Sequence, residues 1–580
     1  MRHRLVVSAA AVGALVAGLA APAVAGPAHG ATATSWAVTG TRAEPTGGLR
    51  PLGALATGTS MHVSVALGLR DGTALERAIA AGRTFTPAEF DARFAPTAAS
   101  VASVTRYLRS HGLTDVTTTA NRVLVSADGP AATIEAAFHT TIGAFTLDRR
   151  EVFANTTAAE VPAALGSTVR AVLGLNDVAT MTSDLTRARV RGATTSTRGG
   201  GAATTPGGRR PATNPASSCS VAGVGYLCTY NPEGFWKAYD ATSTPAATKT
   251  AVAIFAEGDL TQVVKDLRQE ERANGLAQVP LTIVATGAAS TDTSGADEWD
   301  LDTQYSTGMA KSVKHLYLYD AASLTDSDLA ASFAKFVTQD VAKAGSVSLG
   351  ECEYQAYLDG SMVADDEAFA QAAAQGQTVF ASAGDTGGFC PVASTNGVPA
   401  GIPDVNYPAS SPYVTSVGGT TLVTGTGGVY DEELAWVAGG GGISLFESAP
   451  AWQDGDGLTG TVLPTVCGAE GVIGCGRTVP DVAMDADPDS GANVYVSGTP
   501  EGVGGTSLAS PLALGVWARL ETIGANKLPY AAPVLYKDAG TAAFHDITLG
   551  DTGPYPALPG YDLATGNGTF DVAAAAKIIK

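Results

Sequence analysis

Residues 250–275 read TAVAIFAEGDLTQVVKDLRQEERANG: a short apolar run closed by glycine, then a stretch with the spacing of an amphipathic helix. A buried strand followed directly by a helix is the repeating unit of an α/β sheet. The unit recurs. HLYLYD (315–320), AGSVSLG (344–350) and QTVFASAGD (377–385) are strand-like, and DSDLAASFAKFVTQDVAKAG (326–345) and DEAFAQAAAQG (366–376) are helix-like. The alternation predicts an α/β domain over 218–580 built on a doubly wound parallel sheet, with its site beyond the carboxyl ends of the strands.

Toward the N-terminus the pattern changes. Between about Leu52 and Asp177, MHVSVALGL (61–69) and VTTTANRVLVSADG (116–129) read as strands. LERAIAAGR (75–83), PAEFDARFA (87–95), ASVASVTRYLRSHG (99–112) and PAATIEAAFHTTIG (130–143) read as helices. This predicts a small α+β, ferredoxin-like domain over 40–181. Residues 182–217 lose all periodicity and are rich in Thr, Gly, Pro and Ser, with Arg187, Arg189, Arg191, Arg198, Arg209 and Arg210 among them. Such a composition predicts a linker open to cleavage. Residues 1–25 read as an export signal: Arg2 and Arg4, an apolar stretch from Leu5 to about Ala20, and small residues Ala23-Val24-Ala25 before Gly26. A secreted, extracellular protein with no membrane span is expected.

Charge separates the two halves. Residues 1–217 carry 20 basic and 13 acidic side chains, and residues 218–580 carry 15 basic and 42 acidic ones. A polyanionic body argues against nucleic acid as partner and suits a protein that works in acid. The same asymmetry predicts that acid weakens the attraction between the halves. Six cysteines, Cys219, Cys228, Cys352, Cys390, Cys467 and Cys475, suit an oxidising compartment. Neighbours in sequence are the expected pairs, one connectivity among fifteen.

GGTSLASPLALGVWARLETIG (504–524) sets Ser507 at the start of a helix behind two glycines, where free N–H groups favour developing negative charge. A serine nucleophile needs a base. After residue 217 the only histidines are His315, within a strand-like run, and His545, beside an acidic segment; neither has the loop setting of a catalytic imidazole. Carboxylates remain. In SGADEWDLDTQY (294–305), Glu298 and Asp302 are four apart and share one helix face, where a carboxyl pair holds one proton tightly and releases the other. Asp385 ends a buried strand ahead of glycines and, if protonated, can donate to an oxyanion.

Taken in order, Glu298-x-x-Leu301-Asp302, the S-A-G-D-x-G run at Asp385 and the G-T-S-x-x-x-P run from Ser507 to Pro511 resemble the sedolisins, or serine-carboxyl peptidases, especially kumamolisin-like bacterial members. Residues 52–180 resemble that family's activation domain. The resemblance implies a subtilisin-like catalytic fold and an endopeptidase activated by removal of its own propeptide, which also acts as intramolecular inhibitor. It assigns Ser507 as nucleophile, Glu298 as general base, Asp302 as its partner and Asp385 as oxyanion donor, with 346–350 pairing the substrate backbone. Proteins and peptides are the implied substrates of a monomeric enzyme. In HDITLGDTGPYPALPGYDLATGNGTFD (545–571), Asp546 and Asp562 are hard oxygen ligands suited to Ca²⁺. The family's single structural calcium carries over to Asp546, the carbonyls of Ile547, Leu558 and Gly560, and Asp562, although Leu558 departs from the usual Gly-x-Gly-x-Asp. A neutral subtilisin-like enzyme would need a histidine in a Gly-rich helix-start motif, which is absent. The other rival is a catalytically silent secreted binding protein on the same fold.

Overall fold

The computed structural model describes residues 35–147, 149–178, 180–187, 219–222, 225–390, 403–453 and 476–580. The expected export signal, the linker beyond Arg187, and Cys467 and Cys475 lie outside the described residues. The other two expected pairs, Cys219–Cys228 and Cys352–Cys390, are disulfides.

The strand Ala247–Glu257 lies in the middle of the main sheet. It pairs in parallel with Val313–Ala321 on one side and Ala344–Val347 on the other. Leu281–Ala285 extends one flank; Thr378–Ser382, Thr415–Thr424 and Val482–Asp485 extend the other, all in parallel. Beyond them the sheet becomes mixed, since Gly225–Cys228 and Tyr430–Ala435 pair antiparallel with Thr415–Thr424. The central strand is buried from Thr250 to Glu257, as its unbroken apolar sequence requires for a strand covered on both faces. The helices Ala296–Met309 and Thr506–Ile523 pack against each other and against the sheet. A second pair, Asp326–Gln339 and Ser361–Ala374, also packs on the sheet and carries the N-terminal domain.

That domain is a four-stranded antiparallel sheet in the order Thr114–Thr118, Leu124–Pro130, Ser60–Leu67, Val169–Leu173. Numbered along the chain, this is the 4-1-3-2 order of the ferredoxin-like fold. Helices Ala98–Ser110 and Ala131–Phe138 cover it around Val63, Val65, Val104, Leu108, Ile134 and Phe138. A second apolar contact spans both domains: Leu75, Ile79, Phe85, Phe90 and Phe94 meet Ala370, Ala373, Ala374 and Tyr530. The chain then runs on along the C-terminal domain. Contrary to the featureless linker expected from 182 onward, Thr182–Ser183 pairs antiparallel with Leu349–Cys352, and Thr186–Arg187 with Thr499–Gly504.

Candidate active site

Ser507 is the second residue of the helix Thr506–Ile523 and is fully buried. Gly505 before it has φ 103°, and a Cβ there would lie 2.0 Å from the Asp184 carbonyl oxygen and 2.7 Å from Asp385 Oδ2, so only glycine fits. Four residues on, Pro511 lacks the N–H that would bond the Ser507 carbonyl within the helix. Ser348 Oγ lies 3.3 Å from that carbonyl oxygen.

Glu298 and Asp302 lie one turn apart on Ala296–Met309, 2 % and 0 % exposed. Ser507 Oγ donates to Glu298 Oε2 at 3.0 Å, and Ser183 Oγ donates to the same oxygen. Ser348 Oγ donates to Asp302 Oδ1 at 2.6 Å. Glu298 Oε1 and Asp302 Oδ2 are buried and find no hydrogen-bond donor among the described residues. Burial holds both carboxyls well above their ordinary range, and for Glu298 the Asp302 charge adds to it. The helix that carries them is buried almost all round, and most of its other polar residues are bonded, although Asp300 Oδ1 finds no donor among the described residues. Gln304 both donates to and accepts from the Tyr495 backbone, and Trp299 Nε1 donates to the Glu257 carbonyl.

Asp385 follows the strand Thr378–Ser382. Its Oδ1 accepts from Thr506 N–H at 2.7 Å and Thr506 Oγ1 at 2.9 Å, and its Oδ2 from Thr186 Oγ1 at 2.8 Å. Burial outweighs these bonds and raises the carboxyl to about 7, so it carries a proton in acid. Four expected residues thus meet around one helix start. Sequence reasoning missed Ser183, Asp184, Thr186, Ser348 and Ser382 at this site. Their Ser/Thr-rich surroundings carry no periodicity, and only 346–350 had been marked as substrate-pairing. Neither histidine belongs here: His315 Nε2 meets Thr282 Oγ1, and His545 stacks on Tyr430.

The expected calcium ligands lie together elsewhere. Both Asp546 carboxylate oxygens accept the Gly560 N–H, at 3.1 and 3.0 Å, and Asp562 Oδ2 accepts the Leu558 N–H at 2.7 Å. The carbonyls of Ile547, Leu558 and Gly560 accept no hydrogen bond among the described residues. Two carboxylates and three such carbonyls offer an all-oxygen donor set of the kind a hard cation takes. A separate acidic group, Asp326, Glu351 and Asp359, is also close enough to hold a metal ion.

Residues 48–178 match the family described as "Pro-kumamolisin, activation domain", and residues 282–532 match the "Subtilase family". Sedolisin of Pseudomonas sp. (strain 101) is 36% identical over 94% of this chain and 93% of its own length. Xanthomonalisin of Xanthomonas sp. (strain T-22) is 36% identical over 88% of this chain, which spans only 64% of that relative. A solved structure of Pseudomonas sedolisin, a serine-carboxyl proteinase complexed with pseudo-iodotyrostatin, superposes with a TM-score of 0.55 at 38% identity. It covers 60% of this chain and 97% of the sedolisin. The described residues contain no helix long and apolar enough to cross a membrane. With its activation domain, subtilase-type peptidase domain and buried serine-carboxyl cluster, the chain belongs to the sedolisin family of serine-carboxyl peptidases.

Proposed function

We propose that this chain is an exported endopeptidase that works in acid, with Ser507 as nucleophile, Glu298 as general base, Asp302 as the partner of Glu298 and Asp385 as oxyanion donor. The hydrogen bond from Ser507 Oγ to Glu298, 3.0 Å long and free of any histidine, carries the reading. One proton held between Glu298 and Asp302 supplies the donor that their buried inner oxygens lack, and leaves Glu298 Oε2 ionised toward the serine. Ser507 Oγ attacks the substrate carbonyl as its proton passes to Glu298. Asp385, protonated in acid, and the Ser507 N–H stabilise the oxyanion. Glu298 then protonates the leaving amine, and water resolves the acyl-enzyme by the reverse proton path.

The boundaries that suit this reading are a signal over 1–25, a pro-domain over 40–181, a cleavable linker over 182–217 and a monomeric peptidase over 218–580. Removal of the pro-domain by the chain itself frees the cleft for protein and peptide substrates. Asp546 and Asp562, with the carbonyls of Ile547, Leu558 and Gly560, would hold one structural Ca²⁺, which would cross-link the C-terminal loop and take no part in the chemistry.

The test is hydrolysis of a denatured protein between about pH 3 and 7 by the matured chain and by Ser507→Ala. Acid activity that vanishes in the variant supports the assignment. A fully matured protein with no turnover would favour the silent binding protein.

A further inference from the structure

The segment 182–187 lies in the cleft as a substrate would. It is held as a strand on both sides of one peptide bond: Ser183 opposite Leu349 on one flank and Thr186 opposite Gly504 on the other. Between them, the Asp184 carbonyl accepts the Ser507 N–H at 3.4 Å. The amide N–H and the nucleophilic oxygen belong to one residue, so the carbonyl bound there is the one that oxygen can reach. The Asp184 side chain turns inward. It is 9 % exposed, and Ser382 Oγ donates to its Oδ2 at 2.8 Å. A Cβ on Gly350 would lie 3.4 Å from the same oxygen, in van der Waals contact, so the Gly350 backbone stands against this carboxyl. The charged groups that act on this carboxyl are Asp385 and Glu298, both acidic, and no described cation pairs with it. A pocket with a hydroxyl donor, acidic neighbours and no cation suits a short neutral acceptor and disfavours a carboxylate.

We propose that this cleft selects a short side chain bearing an uncharged carboxyl or amide ahead of the bond it cuts, and that Asp184–Leu185 is the first bond Ser507 cuts in this chain. The inference rests on the catalytic assignment above and adds the substrate class. Ser507 Oγ bonds to the Asp184 carbonyl carbon while its proton goes to Glu298. The C–N bond to Leu185 breaks, the nitrogen takes that proton and becomes a new N-terminus, and water releases the acyl group as the Asp184 α-carboxylate. In acid, Asp184 reaches the neutral form that the pocket holds. Burial raises its carboxyl well above the usual range, and the Asp385 and Glu298 charges add to the shift.

The purified full-length chain is shifted to pH 4 and its products are identified by mass and N-terminal sequence over time. The first product should begin at Leu185. Asp184→Asn should be cut at the same bond, whereas Asp184→Lys should slow that cut at least a hundredfold. A Ser507-dependent first cut elsewhere, for example among Arg189–Arg210, overturns the inference and leaves the catalytic assignment standing. Maturation that persists in Ser507→Ala sinks the assignment itself. Quenched peptides X-Leu-Thr-Arg, tested with the matured enzyme, give a second measurement. The ratio of kcat/KM for X = Asp to X = Asn should fall by up to tenfold per pH unit above about 4, because only the Asp peptide loses a proton there. A ratio that stays flat from pH 4 to 6, or a Lys peptide cut as fast as the Asn peptide, overturns the proposal.

Discussion

Ser348 joins the two halves of the catalytic group: its hydroxyl donates to Asp302 at 2.6 Å, and its carbonyl lies 3.4 Å from the Ser507 hydroxyl oxygen. The hydroxyl stabilises ionised Asp302 against the burial that raises it. Ser348→Ala should therefore lower kcat about ten- to a hundredfold with little change in KM, and should move the acid limb of the pH–rate profile upward as Asp302 protonates more readily. A lower kcat with an unmoved profile would assign Ser348 a packing role only.

The same logic separates carboxyl from imidazole chemistry. Glu298→Gln removes the base at nearly constant shape and should cost at least about a thousandfold in kcat/KM. His315→Gln and His545→Gln should each stay within about threefold, since one meets Thr282 and the other stacks on Tyr430. A profile rising through about pH 6.5 that disappears with either histidine would reverse the assignment.

The proposed catalytic residues were legible because each sits where local chemistry constrains the chain: Glu298 and Asp302 at helical spacing, Asp385 at a strand end before glycines, Ser507 behind Gly505. The central strands were legible because a parallel strand buried on both faces is apolar throughout, as Ala251–Ala256 is. What sequence could not give was partnership between distant segments. Nothing in MTSDLTR announces that Ser183 reaches Glu298, 115 residues away, or that Thr186 reaches Asp385. Pro511 was legible as part of a pattern. Its consequence, a Ser507 carbonyl freed from the helix to face the Ser348 hydroxyl, needs the fold.

Buried carboxyls also set how stability depends on pH. Burial raises Glu433 and Glu521 to about 7, Glu270 to about 8 and Asp300 to about 9. Each is raised above its unfolded value, so its contribution is fully present below about 4 and is lost as pH climbs through 7 to 9. Tm of the Ser507→Ala protein should fall steadily between pH 5 and 9. Glu433 accepts from the Tyr239, Thr420 and Thr569 hydroxyls, and Glu433→Gln should flatten part of that fall while leaving Tm at pH 4 nearly unchanged. A Tm that rises toward neutral pH would contradict the buried-carboxyl account.

Calcium binding to the folded state alone would stabilise it by mass action, roughly 2.7 kcal/mol at a hundredfold excess over Kd. Chelation should then lower Tm by several degrees. Asp546→Asn should abolish the response at modest structural cost, because among the described residues Asp546 accepts only the Gly560 N–H. An unchanged response in Asp546→Asn would move the site elsewhere, and no response in either protein would mean that Leu558 marks a lost site.

The last prediction concerns how the pro-domain lets go, and the burial of its Glu44 argues for the opposite sign to that expected from net charge. Opposite charge predicts a grip that acid loosens, and Arg170 does pair with Glu367 at 3.3 Å. That pair is partly exposed, and such pairs contribute about 0–1 kcal/mol. Apolar contacts dominate the junction: Phe85, Phe90 and Phe94 against Ala370, Ala373 and Ala374, and Leu124 and Leu173 against Ala330 and Ala334. Glu44 of the pro-domain is buried there beside Asp359, with Gln355 Nε2 donating to it at 2.8 Å. Burial first, and the Asp359 charge second, raise Glu44 to about 8. In the freed domain it returns toward 4.5, so docking takes up a proton. The resulting affinity is fully present below about 4.5 and is lost as pH rises through about 8. Asp326, raised by burial first and then by Asp359, Asp365 and Glu44, acts in the same direction. Titrating the pro-domain into the mature Ser507→Ala enzyme should show Kd decreasing by up to tenfold per pH unit from 8 to 5, with little salt dependence. Glu44→Gln should flatten that slope. On this account acid would activate by arming the proposed catalytic carboxyls and cutting the chain, with release following digestion of the pro-domain. Weaker, salt-sensitive binding at pH 5 than at pH 7 would restore the electrostatic latch.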